Sequence, residues 1–127
     1  MKITIRKPKK SEYNQILKVV NSEIALYKKF FTKEELKGIG IGDFKISDLE
    51  DSKNKDLVAV SNNEILGFIS WYIKPNKVVW ISMLETDIEK QKKGIGSMLL
   101  TEVENLAKKE NIKAIALEAQ KKAFWAS

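Results

Sequence analysis

The sequence predicts an α/β protein of the α+β kind, a mixed and mostly antiparallel sheet combined with helices. Three observations predict it. Between residues 57 and 86, three runs rich in β-branched and aromatic residues are separated by reverse-turn residues, the pattern of an antiparallel meander. A long apolar stripe at three-to-four spacing precedes them, which is helical. A second helical stripe and one more strand-like run follow, and a strand reached through a helix pairs parallel to its predecessor. At 127 residues and 43% hydrophobic content, the chain is expected to form one domain, 1–127, around a single core.

The elements follow in order. Residues 2 to 6 alternate as a short strand that Pro8 ends. Ser11 and Glu12 open a helix whose inner stripe is Tyr13, Ile16, Leu17, Val20, Ile24, Tyr27 and Phe31. Thr32 and Glu35 have the spacing of a capping box for a second, shorter helix over 33–37. Gly38, Gly40 and Gly42 break it, and the residues up to Asn54 read as a loop with one helical turn. Strands over 57–61 and 65–73 flank Asn62-Asn63, a pair suited to a tight hairpin turn. Pro75-Asn76 turns the chain into a third strand, 78–86.

In that third strand the alternation of Val79 and Ile81 loses phase and resumes at Leu84 and Thr86. A β-bulge around Ser82-Met83 would cause this; a strand buried on both faces would look the same. Gly94 to Lys109 then has the stripe of an amphipathic helix, with Ile95, Met98, Leu99, Val103 and Leu106 inward. Asn111 is its stop signal. Ile112 to Leu117 is the expected parallel strand, and Ala119 to Ser127 resembles the opening turns of another helix.

Composition removes several chemistries. Cysteine and histidine are both absent, so thiolate nucleophiles, imidazole bases, disulfides and Cys/His zinc sites are excluded. A general base must then be a carboxylate, a tyrosine or a water. The start of the chain lacks the apolar core of a signal peptide, and no run approaches the roughly 18 apolar residues of a membrane span, so a cytoplasmic protein without a membrane partner is expected. The net charge of +6 favours a polyanionic partner. The positive charge is mostly lysine and scattered, whereas a duplex reader would concentrate arginine on one element, so nucleic acid is not the expected partner.

The feature that carries chemistry is Gln91-Lys92-Lys93-Gly94-Ile95-Gly96, placed between a strand and the start of a helix. First-turn amides of a helix lack acceptors within it and attract anions, and glycines let a phosphate approach the backbone. The glycines at 38, 40 and 42 do not compete, since they follow a helical pattern and Asp43 stands where a dinucleotide fingerprint needs glycine.

Gln-x-x-Gly-x-Gly, entered by Val79-x-Ile81-x-x-Leu84-x-Thr86, resembles the cofactor signature of the GNAT N-acetyltransferase superfamily. That resemblance implies a GNAT-like sheet with helices on both faces, in a C-terminally shortened member that lacks the family's last two strands. It also implies acetyl-CoA as cosubstrate. Its pyrophosphate would be held by Gln91, Lys92, Lys93, Gly94, Ile95, Gly96 and Ser97, and its pantetheine arm would pair with the backbone of Leu84, Glu85 and Thr86. An amine-bearing small molecule or protein would attack the thioester directly in a ternary complex. Glu85 is the first candidate base and Glu118 the second, and an amide at or near Leu84 would polarise the thioester carbonyl. The family's frequent Asn and Tyr in the final helix have no counterpart here, where Ala123 occupies the Asn position. Two alternatives stand beside this reading: an acyl-CoA-binding subunit without turnover, and a basic nucleic-acid-associated module using Trp71, Tyr72, Trp80 and Trp125 as stacking platforms. A homodimer through strand 112–117 and the terminal helix is the expected assembly.

Overall fold

A computed structural model describes residues 2–38, 44–50, 53–87, 94–112 and 114–117. Its elements are β1 (Thr4–Arg6), a 3-10 turn (Lys10–Glu12), α1 (Tyr13–Val20), α2 (Ser22–Tyr27), α3 (Lys33–Gly38), α4 (Ile46–Leu49), β2 (Lys55–Ser61), β3 (Glu64–Ile73), β4 (Val78–Thr86), α5 (Ile95–Lys109) and β5 (Ala114–Leu117). The strands form one five-stranded sheet in the order β1-β2-β3-β4-β5. All neighbours are antiparallel except β4 and β5, which are parallel, as the intervening helix requires.

Local chemistry explains the boundaries. Asn62 and Asn63 both adopt positive φ, at 51° and 63°, the conformation of a two-residue hairpin turn that matches strand twist. Thr32 and Glu35 cap α3 reciprocally: the Thr32 amide donates to Glu35 Oε1 at 2.8 Å, and the Glu35 amide donates to Thr32 Oγ1 at 3.1 Å. At the end of α5, Asn111 turns to φ 58°. The Ile112 amide then bonds the Ala107 carbonyl at 2.9 Å and the Asn111 amide bonds Lys108 at 3.2 Å, a Schellman closure of the helix.

Two apolar layers cover the two faces of the sheet. On one, α5 lays Ile95, Leu99, Val103 and Ala107 against Leu57, Ala59, Leu66, Ile69, Trp71, Val79 and Ile81. On the other, α1 and α4 bring Ile16, Val19, Val20 and Leu49 against Val58, Val60, Ile65, Phe68 and Met83. The expected inner stripes are shortened at their ends. The first helix breaks at Asn21, and Phe31 beyond it is 45% exposed because the chain there has left the sheet. Met98 lies on the flank of α5 and is 38% exposed.

The Asn21 side chain has a structural use of its own. Its Nδ2 donates to the Phe44 carbonyl at 3.2 Å, while its Oδ1 accepts the Phe44 amide at 2.9 Å. One side chain thereby imitates a strand partner and joins the two ends of the segment 22–43. Trp71 is buried in the core, whereas Tyr72 and Trp80 each lie under a lysine, Lys53 at 5.6 Å and Lys74 at 4.0 Å from the ring centroids. Among the described residues, no helix is long and apolar enough to cross a membrane.

A helix start beside a parting pair of strands

The site is built from two backbone features. The first is the bulge in β4. Ser70 pairs with Met83 and Trp71 with Ile81, so Ser82 is the additional residue. Its hydroxyl donates to the Ser70 carbonyl at 3.2 Å, fixing the irregularity in place. The extra residue inverts the phase of the strand, as a bulge must. Before it, Val79 and Ile81 face α5; after it, Met83 faces α1 and Leu84 packs on the α5 side.

The bulge also coincides with the end of the parallel pairing. β4 and β5 match from Val78↔Ala114 to Ile81↔Leu117. Among the described residues, 83 to 86 pair with β3, and the described pairing with β5 reaches Ile81↔Leu117, directly before the bulge. Antiparallel bonding to β3 continues to the Asp87 amide, which donates to Leu66 at 3.0 Å. One edge of residues 84–86 is therefore fixed by β3.

The second feature is the start of α5. Gly94 is its N-cap, at φ 87°, a left-handed conformation in which most side chains are strained. The first bond along the helix runs from the Met98 amide to the Gly94 carbonyl at 2.8 Å. The amides of Ile95, Gly96 and Ser97 thus have no acceptor within the helix, and among the described residues no side chain caps it. A Cβ added at Gly94 or Gly96 would meet no atom within 4 Å. Packing does not require glycine at 96, where it costs a helix up to about 1 kcal/mol relative to alanine. What glycine leaves there is clear approach to the amides.

The start of α5 is seated on the sheet by a residue that the sequence reading passed over. A Cβ on Gly67 would lie 2.8 Å from Ile95 Cγ2, 3.1 Å from Leu99 Cδ1 and 3.3 Å from the Glu85 carbonyl oxygen. Gly67 pairs with Thr86, so the absence of its side chain lets the first turn of α5 settle against the end of β4. A glycine inside a run of β-branched and aromatic residues was the available signal.

Of the expected site residues, those within the described segments are placed by β4 and the start of α5. Leu84 is half-buried against the α5 layer, and Thr86 stands opposite Gly67. Glu85 pairs with Phe68, which belongs to the α1 layer, and is only 7% exposed. Ile95 is buried beneath the helix start, while Ser97 is exposed. Gln91, Lys92, Lys93 and Glu118 lie outside the described residues, as do most of the 38–42 segment and Trp125. Among the described residues, no group of acidic side chains is arranged to hold a metal ion. The geometry provides a helix start whose first amides have no acceptor within the helix, next to the end of β4, with the buried Glu85 on the α1 face of that strand.

Comparison with known proteins gives this geometry relatives. The family model described as the acetyltransferase (GNAT) family matches residues 20–126. The PaiA N-acetyltransferase of Thermoplasma acidophilum, solved in complex with coenzyme A, is similar at 21% identity and a TM-score of 0.75, covering 99% of this chain and 86% of that one. A GNAT-family acetyltransferase of Staphylococcus aureus Mu50 is similar at 18% identity and 0.73, covering 98% of this chain and 78% of that one. The ribosomal-protein-alanine N-acetyltransferase of Brucella melitensis biovar Abortus is similar at 14% identity and 0.66, with 95% and 82% covered. Among curated proteins none matches in sequence.

Proposed function

Because the chain belongs to the GNAT acetyltransferase family, we propose that it transfers an acetyl group from acetyl-CoA to an amine acceptor, by direct attack within a ternary complex. The observation that carries the reading is the glycine-led start of α5, whose first amides have no acceptor within the helix, beside the end of β4 past its bulge. Acetyl-CoA fits both parts. Its pyrophosphate suits the amides of Ile95, Gly96 and Ser97, where charge-assisted bonds contribute about 1.5–3 kcal/mol each and the helix dipole about 0.3–1 more. Its pantetheine amides suit the backbone of Leu84 to Thr86, in the manner of an added strand. Gln91, Lys92 and Lys93 complete the proposed grip from the sequence side.

The thioester supplies the activated acyl group, and the residues of the chain supply position and proton transfer. No cysteine exists to form an acyl-enzyme, so the acceptor nitrogen attacks the carbonyl itself. Freeing a lysine amine of its proton at pH 7 costs about 4.6 kcal/mol, from a gap of roughly 3.4 pKa units, whereas an N-terminal amine near pKa 8 costs far less. Glu85 is the proposed base, directly or through a water, with Glu118 second. The backbone amide at or near Leu84 would donate to the carbonyl oxygen as negative charge develops on it.

Titration with CoA followed by tryptophan fluorescence tests the first half, and thiol release from acetyl-CoA with a panel of amines tests the second. We expect saturable CoA binding that weakens with salt and is largely lost in Gly94→Asp, whose carboxylate would occupy the phosphate's place. Unchanged affinity in that variant would overturn the site. CoA binding with no thiol release for any amine would instead favour a non-catalytic acyl-CoA-binding subunit.

A further inference from the structure

The chain leaves α2 through a turn with an apolar tip. α2 turns Ile24 inward, while Leu26 is 36%, Phe30 73% and Phe31 45% exposed. Among the described residues, five large apolar side chains are exposed, and these three stand within six positions of one another. Single exposed apolar residues are ordinary, whereas a cluster marks a surface that meets something. Backbone bonds hold the tip in place. The Lys29 amide donates to the Leu26 carbonyl at 3.1 Å, and the Phe30 and Phe31 amides both donate to that of Tyr27 at 3.0 Å. Helical spacing thus continues past Tyr27, so Leu26 and Phe30 share a face. Phe31 stands edge-on to Tyr27, with ring centroids 6.3 Å apart.

Positive charge surrounds the tip. Lys28, Lys29, Lys33 and Lys37 are all exposed, against Glu34 and Glu35, and Glu35 is engaged in the cap of α3. The occupant must attract lysine and also take up an apolar ring. A second copy would set these lysines against its own. A small molecule needs concave walls, and a ring as exposed as Phe30 stands out from the surface. An anionic bilayer meets both requirements: its headgroups attract the lysines, and the boundary between headgroups and acyl chains takes up phenylalanine and leucine. The expectation of no membrane partner rested on the absence of a signal peptide and of a spanning run, and neither bears on contact with a membrane surface.

We propose that the turn over 26–33 docks the protein on the surface of an anionic phospholipid bilayer. Phe30 enters the boundary of headgroups and chains with Leu26 beside it, and Lys29 and Lys33 lie among the lipid phosphates. The contact is peripheral and reversible, since a few side chains anchor far more weakly than a spanning helix. It uses no residue of the proposed acetyl-CoA site, so it stands whether or not the acyl-transfer reading holds.

The test is co-sedimentation of the whole chain with two kinds of vesicle, phosphatidylcholine alone and phosphatidylcholine mixed equally with phosphatidylglycerol. Binding is expected to the mixed vesicles, weakening with salt. Phe30→Ser keeps every charge and should weaken it about tenfold, with circular dichroism and CoA affinity unchanged, whereas Phe30→Leu should retain most of it. Lys29→Glu with Lys33→Glu should weaken it more than Lys108→Glu with Lys109→Glu, at the end of α5 on the other face of the sheet. In Phe30→Trp, brominated acyl chains should quench more of the fluorescence than in the parent chain. Absence of binding, equal binding to both vesicles or full binding by Phe30→Ser would overturn the proposal. So would a loss of self-association in Phe30→Ser, which would assign the turn to a second copy.

Discussion

Glu12 shows how a single residue makes the fold sensitive to acid. The Arg6 guanidinium donates to both of its oxygens, at 2.9 and 2.7 Å, and the Lys9 amide donates at 2.8 Å. The Arg6 hydrogen bonds come first, against burial, in holding its carboxyl down to about 2 from an ordinary value of 4.5. A folded value below the unfolded one means stability that is present above pH 4.5 and lost as pH falls toward 2. Glu12→Gln should therefore lower unfolding free energy by about 1 kcal/mol at pH 7 and much less as pH falls toward 2, as read by urea denaturation. Asp56 has the opposite sign, because burial pushes its carboxyl above the ordinary value against a hydrogen bond from Ser70. Its raised value gives stability that is complete below the ordinary aspartate range and declines as pH rises through the folded value. At the proposed active site, Glu85→Gln should reduce turnover with lysine-like amines more at pH 7 than at pH 9, where solvent deprotonates more of the acceptor. Equal losses at both pH values would exclude Glu85 as the base.

Among elements, α5 depends on one missing side chain. Gly67→Ala places a methyl against Ile95 Cγ2 at 2.8 Å, which is too close, and Ile95 is fixed at the helix start. The first turn should move outward, at a cost of about 1–3 kcal/mol. CoA affinity should fall with stability. Gly38→Ala is the control, since a Cβ there meets no atom within 4 Å and α3 gains a better helix former. Elements of this kind were legible where the signal is local. The asparagine pair at 62–63, the Thr32–Glu35 box, the phase slip at Ser82 and the stop at Asn111 each act within a few residues. The backbone half of the candidate site was legible for the same reason, being a strand, a glycine turn and a helix start. The break at Asn21 and the exposure of Phe31 and Met98 were not, because periodicity gives the direction of a stripe and not where its neighbours end. Gly67 and Asp56 acquire their roles from residues distant in sequence, α5 for one and Ser70 for the other.

For the whole molecule, the open question is what lies along β5. It is the last strand of the sheet, with β4 on one side and, among the described residues, no strand on the other. An edge of this kind recruits further chain, and we expect a second copy to supply it, giving a dimer through 112–117. Sedimentation at micromolar concentration should show twice the monomer mass. A stable monomer would mean that the edge is covered within one chain. The charge of +6 does not oppose such pairing strongly at physiological salt, where its repulsion is screened within about 8 Å.

The clasp between Asn21 and Phe44 has a consequence for how such a protein diversifies. Two hydrogen bonds from one side-chain amide link Asn21 to Phe44, on either side of the 22-residue stretch 22–43. Its contents can be lengthened, shortened or exchanged while Ile24 and Leu36 keep it seated. Acceptor surfaces could then be tried as cassettes, with the proposed cofactor grip at the start of α5 inherited unchanged. Asn21→Ala would dissolve that modularity, making the excursion and the sheet answer to each other's mutations.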